Sequence, residues 1–219
     1  MGKIFLIGDS IVDANRGPIR GWGWALPRYV RAGVEVRNHA MSGRSSRSFR
    51  EEGRFDPVEA EMAGGDLLLI QFGHNDESDR PERHTDAETE FPDFLRGYCE
   101  AALRKGAQPM LVTPAEREYF EAEHLARETH GAYATAIRRL AKETEVPLLD
   151  LGRDSRALFS ALGEAKTAEL FLHLKPGEHP DFPEGREDHN HFGEKGADAL
   201  ARLVVQEMRD YPVCEPFLP

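Results

Sequence analysis

The sequence predicts an α/β protein built on a mostly parallel sheet, and three observations carry that expectation. Short apolar runs ending in Gly, Asn or Pro alternate with segments whose apolar residues recur at helical spacing. Most of the short runs are continuously apolar rather than alternating, as expected of strands covered on both faces. The polar residues able to do chemistry gather just after those runs, and in open parallel sheets ligands bind outside the carboxyl ends of the strands.

In chain order, five runs read as strands: residues 3–7, 34–37, 66–72, 109–112 and 146–149. Between them, Phe94, Leu95, Tyr98, Cys99, Ala102 and Leu103 form one apolar stripe at helical spacing, and Ala197, Leu200, Ala201, Val204, Val205 and Met208 form another near the end. Weaker patterns predict helices over 26–32 and 133–142, while 116–128 fits no single period. Segment 77–90 is polar, and 175–186 carries three prolines and two glycines, so both read as surface loops. No internal repeat divides the chain, and its 219 residues are expected to form one domain, 1–219.

Composition narrows the class. With 40% hydrophobic and 31% charged residues and 12 Phe, the chain has the material for a packed interior and lacks the profile of a disordered one. Its 28 basic against 39 acidic side chains leave a net charge of −11, which repels nucleic-acid phosphates and anionic membranes. Neither is expected as a partner. Cys99 and Cys214 allow at most one disulfide and lack the paired spacing of a zinc site, which fits a reducing compartment. The apolar run after Lys3 is about four residues, against the roughly 7–15 of an export signal. No run approaches the roughly 18 residues of a membrane span, so a cytoplasmic location is expected.

Four groups of residues share the address after strands or ahead of the last helix: Gly8-Asp9-Ser10, then Asn38 to Phe49, then Gly73-His74-Asn75-Asp76, and Asp188-His189-Asn190-His191. A serine hydrolase needs a hydroxyl, a base for its proton, an acid to orient that base, and donors for the oxyanion. Ser10 supplies the hydroxyl, at a turn where Gly8 admits a tight bend. His191, three residues after Asp188, supplies the base and its orienting carboxylate. The Ser10 N–H, the Gly43 N–H and the Asn75 side-chain amide supply three donors. Taken singly, Ser10 reads more readily as a turn or cap serine than as a nucleophile, Asn75 also reads as a loop-structuring residue and His191 as a solvated loop histidine.

Together these residues resemble the SGNH or GDSL hydrolases, whose four blocks carry Ser, Gly, Asn and His in this order, and the resemblance covers nearly the whole chain. Within the family, Asn38-His39-Ala40 with Gly43-Arg44-Ser45-Ser46-Arg47-Ser48-Phe49, followed by Gln71-Phe72-Gly73-His74-Asn75-Asp76, is similar to the rhamnogalacturonan acetylesterase branch. The resemblance implies a three-layer α/β/α sandwich with a five-stranded parallel sheet of flavodoxin-like strand order. It also implies Ser10 as nucleophile, Gly43 and Asn75 beside it in the oxyanion hole, His191 as general base and acid, and Asp188 as its orienting acid. Ile11-Val12 depart from the Ser-Thr or Ser-Leu with which the family's first block often continues. Thr113-Pro114-Ala115-Glu116-Arg117 loosely resembles a further stretch of the family.

The expected activity is therefore serine-dependent removal of O-acetyl groups from a carbohydrate such as acetylated rhamnogalacturonan oligosaccharides, through an acyl-enzyme and without metal or organic cofactor. Arg44 and Arg47 beside Gly43 suit the carboxylates of an acidic sugar, with pairing to nearby acids as the alternative. Trp22 is a candidate for stacking on sugar at the cleft, with Trp24 expected inside. His74 and His189 are expected to point away from the chemistry. Three other readings stay open: a broader short-chain acyl or lipid esterase, a metal-dependent phosphoesterase using Asp9, His74, Asn75, Asp76, Asp188, His189 and His191, and a carbohydrate-binding protein without turnover.

Overall fold

A computed structural model describes residues 2–14, 17–121, 124–125 and 128–219. From the N-terminus its elements are β1 (Ile4–Gly8), α1 (Trp22–Ala25), β2 (Val36–Asn38), α2 (Ser46–Glu51), α3 (Asp56–Glu61), β3 (Leu67–Gln71), α4 (Glu90–Arg104), β4 (Gln108–Val112), β5 (Phe120–Glu121), β6 (His124–Leu125), α5 (Gly131–Thr144), β7 (Leu148–Leu149), α6 (Leu151–Leu162), α7 (Glu164–Ala168), β8 (Phe171–Leu174), β9 (Arg186–Phe192) and α8 (Glu194–Met208). The five strands read from the sequence form one sheet in the order β2-β1-β3-β4-β7, every pair parallel. That is the expected flavodoxin-like order.

The continuously apolar strands are covered on both sides because successive side chains point to opposite faces. Ile4, Leu6, Leu67, Leu69, Met110 and Val112 pack on one face with Trp22 of α1, Phe159 of α6 and the whole α8 stripe. Phe5, Ile7, Leu68, Ile70 and Leu111 pack on the other against Phe49 of α2, Val58 of α3 and the inner sides of α4 and α5. Three layers result, with the carboxyl ends of β1, β2 and β3 meeting at one edge.

Several local expectations are corrected. The helix expected over 26–32 is instead α1 followed by a short 3-10 turn, Leu26–Arg28, because Pro27 has no N–H to continue an α-helical ladder. Leu103, read into the α4 stripe, is 54% exposed, while Phe91, Leu95, Tyr98, Cys99 and Ala102 are buried. Within 116–128 the chain pairs β5 with β6, while 122–123 and 126–127 lie outside the described residues. The sequence reading missed α2, α3, α6, α7 and the antiparallel pair β8–β9. Both cysteines are free and buried, and burial pushes each thiol up to about 12. The final residues, given no role above, seat Cys214, Phe217 and Leu218 in the core, and the Arg31 guanidinium donates to Leu218 O (2.9 Å) and Glu215 O (3.1 Å). No described helix is long and apolar enough to cross a membrane.

Candidate active site

The turn after β1 is tight because the backbone passes close to its neighbour. A Cβ on Gly8 would lie 2.5 Å from Gln71 O and 2.7 Å from Val12 Cγ2, so only glycine fits. Asp9 turns inward, fully buried, and its Oδ1 accepts the Ile11 N–H at 2.9 Å. Ser10 is left at the bend, at the carboxyl edge of the sheet.

Asp188 and His191 reach Ser10 through an irregularity in β9. Leu172 of β8 pairs with Asp188 and the preceding Phe171 pairs with Phe192, so residues 189–191 are thrown out of the ladder as a bulge. Asp188 Oδ1 closes that bulge by accepting the backbone N–H groups of Asn190 (3.0 Å) and His191 (2.9 Å). Its Oδ2 lies 2.9 Å from His191 Nδ1, and His191 Nε2 lies 3.1 Å from Ser10 Oγ. Carboxylate, imidazole and hydroxyl thus form one hydrogen-bonded chain across 181 residues of sequence. Burial works to raise the Asp188 pKa. The His191 ring and backbone N–H, joined by Arg186, outweigh it and hold the carboxyl well below the usual carboxylate range.

Opposite this chain sit Gly43 and Asn75. Gly43 adopts φ +77°, a left-handed conformation that favours glycine, and its N–H has no partner among the described residues. Asn75 Nδ2 donates to Arg44 O at 3.2 Å, which orients the amide and leaves its second N–H for another acceptor. The two loops are locked together by Asp76. Its Oδ1 accepts Ser46 N (3.0 Å), Ser46 Oγ (2.5 Å) and Thr85 Oγ1 (2.9 Å), and its Oδ2 accepts Gly73 N (3.0 Å). Ser10, Ile19, Ser42, Gly43, His74, Asn75, Arg83, Asn190 and His191 enclose a cavity of about 240 Å³. A larger hollow of about 820 Å³ beside Leu103 and Phe217 lies far from this relay and has neither a serine nor a histidine in its wall.

The other anticipated residues separate clearly. Trp22 does not line the cleft: it is wholly buried, its Nε1 donating to Gln71 Oε1 at 2.7 Å. Trp24, expected inside, is the half-buried one, lying under the Arg28 guanidinium at 3.9 Å. Positions two apart on a helical turn face different ways, and the indole given a buried acceptor went inward. Arg44 and Arg47 do not line the cavity either. Arg44 Nε pairs with Glu52 at 3.0 Å and Arg47 pairs with Glu90, so local acids compete successfully for both guanidiniums. Arg83 and Asn190 line the cavity and were missed. Arg83 was hidden in a loop that looked merely polar, although it is the basic residue nearest after Asn75 apart from Arg80.

His74 borders the cavity and is buried. Burial, assisted by Arg117, holds it at about 3, and its ring packs against that of His130 at a tilt of 54°, centroids 4.1 Å apart. Burial likewise holds His130 at about 4 and pushes Asp9 up to about 6. Of the residues weighed above as metal ligands, only His189 joins a possible ligand group among the described residues. Its partners are Glu118 and His173, with Glu118 Oε2 at 2.6 Å from His173 Nε2 and 3.1 Å from His189 Nδ1.

A hydroxyl hydrogen-bonded to a carboxylate-held imidazole, facing backbone and amide donors, is an arrangement suited to acyl transfer. Comparison with known proteins agrees in class. Residues 6–199 match the model of the GDSL-like lipase/acylhydrolase family. The chain is 40% identical to the Bacillus subtilis rhamnogalacturonan acetylesterase RhgT over 211 residues, covering 95% of this chain and 90% of that protein. It is 29% identical to the Emericella nidulans rhamnogalacturonan acetylesterase, covering 92% of this chain and 84% of that one. Among solved structures, the Bacillus subtilis protein YxiM superposes with a TM-score of 0.81 at 30% identity, over 95% of this chain and 56% of that chain. From the matched family, the near full-length relatives and the shared fold it follows that this chain belongs to the GDSL-like lipase/acylhydrolase family and is a carboxylic ester hydrolase.

Proposed function

We propose that the protein is a serine acetylesterase acting on acetylated carbohydrate, with rhamnogalacturonan-type oligosaccharides as its substrates. Ser10 Oγ attacks the acetyl carbonyl carbon as His191 Nε2 takes the hydroxyl proton. The Ser10 and Gly43 N–H groups and Asn75 Nδ2 receive the charge that develops on the carbonyl oxygen. His191 then passes its proton to the departing sugar oxygen, leaving acetyl-Ser10. A water molecule, deprotonated by His191, attacks that ester; acetate leaves and Ser10 recovers its proton. Asp188 holds the imidazole in the tautomer with its N–H on Nδ1 and stabilises the imidazolium formed in each step.

The observation that carries this reading is the wall of the cavity. Among the described residues of that wall Ile19 is the one aliphatic side chain, which suits a two-carbon acyl group and a hydroxylated leaving group rather than a fatty chain. The sugar class is supported by the names of the relatives above, two of them rhamnogalacturonan acetylesterases. The test compares 4-nitrophenyl acetate with 4-nitrophenyl octanoate in EDTA, wild type beside Ser10→Ala, together with acetate release from acetylated rhamnogalacturonan and acetylated xylan oligosaccharides. Acetate-selective hydrolysis that survives the chelator, vanishes in Ser10→Ala and favours rhamnogalacturonan is expected. Equal octanoate turnover removes the acetylesterase reading, and preference for xylan removes the pectic one.

A further inference from the structure

Arg83 stands apart from the other arginines around the cleft. The guanidiniums of Arg44, Arg47, Arg54, Arg117 and Arg186 each lie against a carboxylate. Arg83 has no carboxylate partner among the described residues: the one side-chain hydrogen bond it makes to them is from Nη1 to Asn75 Oδ1 at 3.5 Å, the far limit of such a bond. Yet it is half-buried and forms part of the wall around Ser10. A Cβ on Gly43 would meet its Nη2 at 3.4 Å, so the guanidinium lies directly over the loop that supplies the Gly43 N–H.

Among the described residues that enclose the cavity none is acidic, and Arg83 places a positive charge in its wall in a chain of net charge −11. Partly desolvating a charge without a counter-ion is unfavourable, and an anionic group arriving with the ligand relieves it. The backbone that carries this side chain is also held in place. The Arg83 N–H donates to Arg80 O at 2.9 Å, the Thr85 N–H to Asp76 O at 3.1 Å, and Tyr133 Oη to Thr85 O at 2.8 Å. The backbone is therefore held before Arg83 by Arg80 and after it by Asp76, the residue that locks the two oxyanion loops, so little backbone ordering is left to occur on binding.

We propose that Arg83 reads a carboxylate on the substrate and makes the cleft selective for acetyl esters carried on or beside a hexuronate over esters of neutral sugars. This rests on the carbohydrate acetylesterase reading above. Two parallel N–H donors of a guanidinium match the two oxygens of a carboxylate, and lysine lacks that planar fork. The contact with Asn75 defines the competing role: a residue that only steadied the oxyanion amide would affect every ester alike.

The test has two arms on wild type, Arg83→Gln and Arg83→Lys. In the first, D-galacturonate and D-galactose compete with 4-nitrophenyl acetate. Galacturonate is expected to inhibit the wild type more strongly than galactose, with its Ki raised about 10- to 100-fold in Arg83→Gln and less in Arg83→Lys, the range of a charge-assisted pair to a half-buried group. In the second, kcat/KM is compared for acetylated rhamnogalacturonan oligosaccharides and the same material with its carboxyl groups reduced to alcohols. The acidic-to-neutral ratio is expected to collapse in Arg83→Gln through KM. Equal inhibition of the wild type by the two sugars overturns the proposal, as does an equal loss of kcat on acidic and neutral esters in Arg83→Gln. The inhibitor arm contains no acetylated sugar, so a wrong pectic substrate would show in the second arm alone and remain distinguishable from a wrong role for Arg83.

Discussion

Replacing Asp188 by Asn separates the shape of the relay from its electrostatics. The two carboxylate oxygens have different duties: Oδ1 accepts two backbone N–H groups, from Asn190 and His191, and Oδ2 accepts His191 Nδ1 and the Arg186 guanidinium. An asparagine must keep its carbonyl oxygen on the backbone donors, since an NH2 there would face two N–H groups. Its NH2 then faces His191 Nδ1, which must become an acceptor, and the ring proton moves to Nε2. That nitrogen, 3.1 Å from Ser10 Oγ, can no longer take the hydroxyl proton. The expected loss in kcat is about 10⁴-fold, or about 5.5 kcal/mol of activation free energy. Stability should change little, because both backbone bonds persist and the Arg186 pair is partly exposed. A loss of at most about 1–2 kcal/mol is expected. The assay is steady-state hydrolysis of 4-nitrophenyl acetate beside urea unfolding of the same preparation. A kcat within about tenfold of wild type in a folded variant would refute the role of Asp188 in setting the tautomer. A stability loss large enough to account for the activity would refute the division of labour between the two oxygens.

Three further outcomes are expected. Asn75→Ala should lower kcat on 4-nitrophenyl acetate by about 10²–10³-fold by removing one oxyanion donor, and a loss of only a few-fold would take Asn75 out of that role. Trp22→Phe should lower unfolding stability by about 1–3 kcal/mol, since it leaves the buried Gln71 Oε1 without its donor. KM for an oligosaccharide should stay unchanged, and a raised KM would return Trp22 to the cleft. His130→Gln probes the buried histidines packed among His74, Glu77 and Arg117. His130 sits at about 4 in the folded chain, below the roughly 6.5 of the unfolded one. The unfolded state therefore binds that proton first, and wild type loses stability from this group as pH falls from about 6.5 towards 4. The variant should gain on wild type by about 1.4 kcal/mol per pH unit across that window, measured by urea midpoints, whereas a constant offset would show that His130 is not held neutral.

The sheet was legible because its strands carry their burial in the sequence: a run such as Leu67-Leu68-Leu69-Ile70 has no solvent face whichever way it is turned. The stripe from Ala197 to Met208 was legible for the same reason at helical spacing. The β8–β9 pair was not, because residues such as His173, Asp188 and Asn190 are kept for hydrogen bonding and break any apolar alternation. The turn-rich segment 77–90 showed no period because its order comes from polar bonds, to Asp76 just before it and to Tyr133 from a distant helix, rather than from an apolar face.

The sequence by itself determined the sheet, its order by way of a family resemblance, and the residue types of the candidate site, since Ser10, Gly43 and Asn75 lie in short motifs after apolar runs and Asp188 and His191 in one ahead of the last helix. Tertiary structure alone decided which tryptophan is buried, which arginine faces the cleft, and how Asp188 divides its oxygens. The physical reason is common to all three. Hydrogen-bond and ion-pair partners are chosen by proximity in space, and Gln71 for Trp22, Glu90 for Arg47 and, among the described residues, no carboxylate for Arg83 are facts about packing that no local spacing encodes.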